Sequence, residues 1–141
     1  MALPSPLSAK VCIFDINETT LDLVGGLGPV CKSLVGRDGA YEEWFRQLIL
    51  MAHVLTLTGS YKSFSELAPI ALQQVEANTG LGGKKTELPL DAWAKMKNAI
   101  GKLTAHSDVA PGLDALKAQG WQLVAFSNSD LAGLKSQLQN A

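Results

Sequence analysis

The apolar run Val11-Cys12-Ile13-Phe14 ends in an aspartate, which opens the polar cluster Asp15-Ile16-Asn17-Glu18-Thr19-Thr20. A carboxylate at such a place, beside hydroxyl and amide groups, can attack an electrophilic centre and carry a covalent ester. A second cluster, Ser127-Asn128-Ser129-Asp130, follows another apolar run at 121–126 and offers donors suited to holding such a nucleophile or its substrate. The same residue types also cap turns and helices. From the short motif alone, Asp15 is equally a loop aspartate accepting backbone hydrogen bonds, and Thr19, Ser127 and Asn128 are equally turn-formers. A calcium loop is excluded: with Asp15 as position one, position six is Thr20 where glycine is needed, and position twelve is Gly26 where a bidentate glutamate is needed.

The first cluster follows a short continuous apolar run, which reads as a strand buried on both faces, and the second follows a strand candidate, Trp121 to Phe126. Before the second run, Asp108 and Pro111 open a helix in which Leu113 and Leu116 share a face and Gly120 closes the end; after it, Leu131, Leu134 and Leu138 stripe a last helix. Between the strands the sequence has helical periodicity and no good strand candidate. Gly36 to Gly39 break its first helix, Gly59 and Ser60 end its second, and Ser63-x-x-Glu66 forms a capping box for its third. The segment Gly80 to Lys85 reads as the most flexible, and Pro89 suits the first turn of a fourth helix reaching about Leu103. The expected organisation is an α/β core from residues 1–22 and 104–141, with 23–103 as a helical insertion. Strands joined through helices run parallel, so both clusters converge at the carboxyl ends of the strands, where ligands bind in open parallel sheets. The insertion leaves directly after the first cluster and can fold over the site as a lid.

The residues 11–22, with an aspartate after a hydrophobic strand and a threonine four residues later, resemble the first motif of the haloacid dehalogenase-like (HAD) superfamily. Val124-Ala125-Phe126-Ser127-Asn128-Ser129 resembles its second motif, and Tyr41-Glu42-Glu43-Trp44-Phe45-Arg46-Gln47 with Gly59 to Phe64 is similar to the cap of the (S)-2-haloacid dehalogenases. The resemblance implies a Rossmannoid core with an inserted helical cap and a catalytic set of Asp15, Thr19, Arg46, Ser127 and Asn128. Substrate would be bound by Ile16, Asn17, Arg46, Ser127 and Asn128. It implies hydrolysis of small 2-halo acids through an ester on Asp15, without metal or organic cofactor. Superfamily phosphatases usually carry a second aspartate where Asn17 stands, and an amide cannot serve as that general acid. The alternatives are a phosphatase or other hydrolase using the same ester, or a non-catalytic protein of this fold. Arg46 matches the family's halide-binding arginine. On the helix wheel Trp44, Phe45, Leu48, Ala52 and Leu55 make the main apolar face, while Arg46 shares the other side with Leu50, His53 and Leu57. The expectation is that its guanidinium faces the cleft toward Asp15; its plainer reading is a solvated helix residue. The resemblance also implies a later lysine and acidic loop. Lys135, in the helix just after the second strand, does not match that lysine, so the chain is expected to be a shortened, incomplete sheet and a weak catalyst.

Composition narrows the remaining classes. With 141 residues, 47% of them hydrophobic and 18% charged, the chain suits one globular unit with a sizeable core. Twelve basic against 13 acidic residues leave a net charge of −1 and no basic stripe for nucleic acid. Two cysteines, Cys12 and Cys31, are too few for a disulfide framework and fit a reducing cytoplasm. The sequence shows neither an export signal nor a bilayer-length apolar stretch, so no membrane partner is expected. A small-molecule substrate is expected, and a homodimer is left open.

Overall fold

The computed structural model describes residues 10–79 and 87–141, so Gly80 to Lys85, expected to be flexible, lie outside the described residues. Strands β1 (Val11–Asp15) and β2 (Gln122–Phe126) pair in parallel, with Ile13 opposite Val124 and Asp15 opposite Phe126. A parallel pair needs a crossover. Here it contains α1 (Leu23–Val35), α2 (Ala40–Leu57), α3 (Phe64–Thr79), α4 (Ala92–Ile100) and α5 (Val109–Ala118), and α6 (Leu131–Asn140) follows β2. The architecture is an α/β core with helices inserted between its strands.

The sequence puts the helix ends where local chemistry demands them. α1 stops at Gly36, whose left-handed φ of 81° suits a residue without Cβ and lets its N–H reach the Lys32 carbonyl at 2.8 Å. At the start of α3 the capping box is closed: the Glu66 carboxylate accepts from the Ser63 N–H at 2.8 Å, and Ser63 Oγ accepts from the Glu66 N–H at 3.3 Å. The fourth helix is shorter than the sequence suggests, beginning at Ala92 and ending at Ile100. Pro89 precedes it in a turn, with its carbonyl accepting from the Ala92 N–H, and the chain bends at Gly101 so that Leu103 enters the core.

That core is built mainly by the inserted helices. Leu27 and Cys31 of α1, Trp44 and Leu48 of α2, Leu67, Leu72 and Val75 of α3, and Met96 of α4 are all buried. Each large apolar side chain so removed from water contributes roughly 1.5–3 kcal/mol before entropic costs. Trp44 is also fixed by its indole N–H, which donates to the Ala68 carbonyl at 3.0 Å. A Cβ at Gly26 would press on the tip of the buried Leu103 side chain, which would have to shift to admit it. The insertion leaves and returns through paired backbone: the Asp22 N–H donates to the Thr104 carbonyl at 2.9 Å, and the His106 N–H to the Thr20 carbonyl at 3.0 Å.

Two burial expectations are corrected. The strands are not covered on both faces: Val11, Ile13, Val124 and Phe126, which alternate and so share one face, are 40–69% exposed. Among the described residues that face has no covering layer. In α6 the expected leucine stripe is only partly internal, since Leu131 and Leu138 are exposed and Gln137 is buried at 3%. The helix is rotated so that Leu134 packs on the core while Gln137 turns toward the end of β1.

Candidate active site

Asp15 is the last residue of β1, and the chain beyond it turns sharply. The Thr20 and Leu21 N–H groups both donate to the Ile16 carbonyl, at 2.9 and 3.0 Å, and Thr20 Oγ1 donates to the same oxygen at 3.1 Å. This turn brings Thr19 back over the strand end, where its hydroxyl donates to Asp15 Oδ2 at 2.7 Å. Glu18 adopts a left-handed φ of 66°, a conformation that costs a side-chain-bearing residue about 1 kcal/mol. Its carboxylate accepts from the Leu23 and Val24 N–H groups at 2.9 and 3.1 Å, satisfying amides at the start of α1. The loop after Asp15 is thereby fastened to α1.

The second polar cluster meets the first. Asn17 Nδ2 donates to Ser129 Oγ at 3.0 Å, and Gln137 Nε2 donates to Asn17 Oδ1 at 3.1 Å. Ser127 Oγ accepts from the Ser129 N–H at 3.1 Å, which shapes the turn after β2. Both ends of the Asn17 amide are thus engaged, and a group so placed neither gains nor loses a proton near neutral pH.

A cleft of about 510 Å³ opens at this end of the sheet. Asp15, Asn17, Ser127 and Asn128 line its core side; Trp44, Phe45, Leu48, Phe64 and Trp93 supply aromatic and apolar wall from the inserted helices. A space of this size, largely apolar with a few convergent polar groups, suits a small organic ligand.

Of the residues expected at the site, Asp15, Asn17, Ser127 and Asn128 line the cleft, and Thr19 touches Asp15. Arg46 does not follow the expectation. Its side chain is exposed and outside the cleft lining, because the lining uses Trp44, Phe45, Leu48 and Ile49, and a residue 100° beyond Phe45 falls on the next side of α2. That side carries the exposed Leu50, His53 and Leu57. Arg46 acts electrostatically on Glu43. Burial pushes that carboxyl up, but hydrogen bonds from Arg37 and Asn78, with the charges of Arg37 and Arg46, hold it below the usual carboxylate range. Ile16 is likewise corrected: its side chain is 4% exposed in the core and is not part of the lining. Sequence reasoning missed Glu18, Ser129, Gln137 and Lys97. Ser129 and Glu18 lie inside the two polar clusters, though the left-handed backbone through which Glu18 works leaves no mark in the sequence; Gln137 and Lys97 depend on how helices dock.

No protein-family model matches the chain, and neither does any curated protein. Solved structures do. The chain is similar to L-2-haloacid dehalogenase from Xanthobacter autotrophicus, with a TM-score of 0.77 and 22% identity over 94% of this chain and 52% of that one. With chloropropionic acid covalently bound to that enzyme, the TM-score is 0.78 at the same identity and coverage. Another L-2-haloacid dehalogenase gives a TM-score of 0.81 at 22% identity, covering 95% of this chain and 59% of that one. The chain therefore has the haloacid dehalogenase-like fold, and it spans about half the length of these enzymes, 52–59%. No helix among the described residues is long and apolar enough to cross a membrane.

Proposed function

We propose that this cleft performs haloacid dehalogenase-type hydrolysis of small 2-halo acids, with Asp15 as nucleophile. A carboxylate oxygen of Asp15 attacks the halogen-bearing carbon from the side opposite the halogen. The carbon–halogen bond breaks, the halide leaves with the electron pair, and an ester joins Asp15 to the acid. Water then adds to the acyl carbon of Asp15. The ester bond breaks, returning the Asp15 carboxylate, the 2-hydroxy acid and a proton. This chemistry uses no metal or organic cofactor. Thr19 holds the Asp15 carboxylate in one orientation, Ser127 and Asn128 donate hydrogen bonds to the substrate, and the aromatic wall excludes water from the attacked carbon. Residues 23–103 act as the cap over a core of 1–22 and 104–141. Arg46 keeps its halide role only through the family resemblance, and Arg46→Ala tests it. Two free cysteines fit a reducing cytoplasm.

The observation that carries this reading is the strand-end carboxylate, bonded by Thr19 at 2.7 Å and opening into an aromatic-walled cleft in which its neighbour Asn17 is an engaged amide. Halide departs without protonation, whereas an alkoxide leaving from a phosphate ester is helped by an acid that Asn17 cannot supply. The test measures halide from 2-chloropropionate and phosphate from a generic aryl phosphate, with Asp15→Asn beside the native chain. Asp15-dependent halide release is expected. Phosphate alone would assign the cleft to the phosphatase branch, and no turnover of either by the folded chain would leave a non-catalytic protein of this fold.

A further inference from the structure

The proposed chemistry sets an electrostatic problem. A small acid is an anion, and the cleft it must enter is lined by two carboxylates, Asp15 and Asp130. With Arg46 outside the lining, Lys97 is the only cationic side chain among the described residues that line it. Its position follows from helical spacing. Trp93, Lys97 and Ile100 stand four and three residues apart, so they share one side of α4, and all three line the cleft. Lys95 points elsewhere and pairs with Asp91 at 3.0 Å, whereas Lys97 makes no ion pair among the described residues. The end of α4 is anchored to the core as well: Asn140 of α6 donates from Nδ2 to the Gly101 carbonyl at 2.8 Å, one turn beyond Lys97. Lys97, an exposed residue, therefore lines the cleft from the same side of α4 as Trp93 and Ile100, while Asp15 lines it from the end of β1.

We propose that Lys97 is the cleft's anion anchor and binds the carboxylate of a small monocarboxylic acid, turning the rest of the molecule toward Asp15. This rests on the small-acid reading above and adds the residue that selects the charge of the ligand. A lysine on this face is otherwise accounted for by its place in the last turn of α4, where a cation complements the helix dipole. That structural role would serve folding and leave ligand binding untouched, so binding separates the two.

The probe is propionate, which has the carboxylate but no halogen and does not react. It is titrated into the 141-residue chain while the indole N–H resonances of Trp44 and Trp93, both in the cleft lining, are followed by NMR. The expected result is saturable shifts at both indoles, a Kd about tenfold or more weaker in Lys97→Met, and one within about threefold in Lys97→Arg, since a charge-assisted bond is lost in the first and kept in the second. Lys102→Met, an exposed lysine outside the lining, is the control and is expected to bind like the native chain. Native-like binding by Lys97→Met, or no propionate binding by the native chain, would overturn the proposal. Lys97-dependent propionate binding without halide release from 2-chloropropionate would keep the anchor and remove the dehalogenation reading. Halide release with Lys97-independent binding would do the reverse.

Discussion

The Thr19 hydroxyl bonded to Asp15 Oδ2 at 2.7 Å holds that carboxylate in one orientation, and the turn that delivers it is closed by three bonds to one carbonyl, that of Ile16. Thr19→Val keeps the shape and removes the donor. It is expected to lower any Asp15-dependent rate about tenfold, the low end for a hydrogen bond to a charged group at an exposed position, with little change in KM. A rate equal to the native chain's would show that the bond has no part in the chemistry. Asp15, Thr19, Ser127 and Asn128 were legible in the sequence because strand-end polar clusters identify themselves locally. Glu18 and Gln137 were not, since one works through a left-handed backbone and the other through the rotation of α6. A residue-scale check lies in the core: burial, with the charge of Glu42 adding, pushes the Cys31 thiol up to about 12. Thiolate is the reactive form, so iodoacetamide at neutral pH is expected to modify Cys12 well before Cys31 in the folded chain. Equal labelling would mean that the α1 to α4 packing opens readily.

At the scale of elements, the 3.6-residue period of α2 was readable, and Trp44 and Leu48 are buried as that pattern demands. The face carrying Arg46 was not, because periodicity separates sides of a helix without saying which neighbour each side meets. The exposed Leu50 and Leu57 made that stripe look internal. The end of α4 was overrun for a related reason: Leu103 continues an apolar pattern but reaches the core from a turn. The same packing predicts unequal sensitivity among leucines. Leu72 of α3 is 1% exposed and Leu57 of α2 is 87% exposed. By chemical denaturation, Leu72→Ala is expected to destabilise the fold by about 2–5 kcal/mol and Leu57→Ala by less than about 0.5 kcal/mol. Similar losses would place the core elsewhere.

In the whole molecule the apolar core lies mostly in the inserted helices, whereas the two-stranded sheet that carries Asp15 leaves one face bare among the described residues. Ile13 is 64% exposed and Phe126 69% exposed on that face, and with Val11 and Val124 they form an apolar patch open to water among the described residues. The chain is expected to bind an apolar fluorescent dye while folded, and the double substitution Ile13→Thr with Phe126→Ser is expected to reduce that signal; an unchanged signal would mean the dye reads the cleft instead. The fold class was legible from two apolar runs separated by helical sequence, but the bare face was not, since a continuous apolar run says only that a strand can be covered. The most direct test of the chemistry is isotopic. The chain is incubated in excess with 2-chloropropionate in ¹⁸O-labelled water, and the peptide containing Asp15 is weighed. An ester on Asp15, or ¹⁸O in its carboxylate after water has attacked the acyl carbon, is the expected result, absent in Asp15→Asn. Halide release with the label only in the product hydroxyl would contradict it, because water would then have displaced the halogen directly.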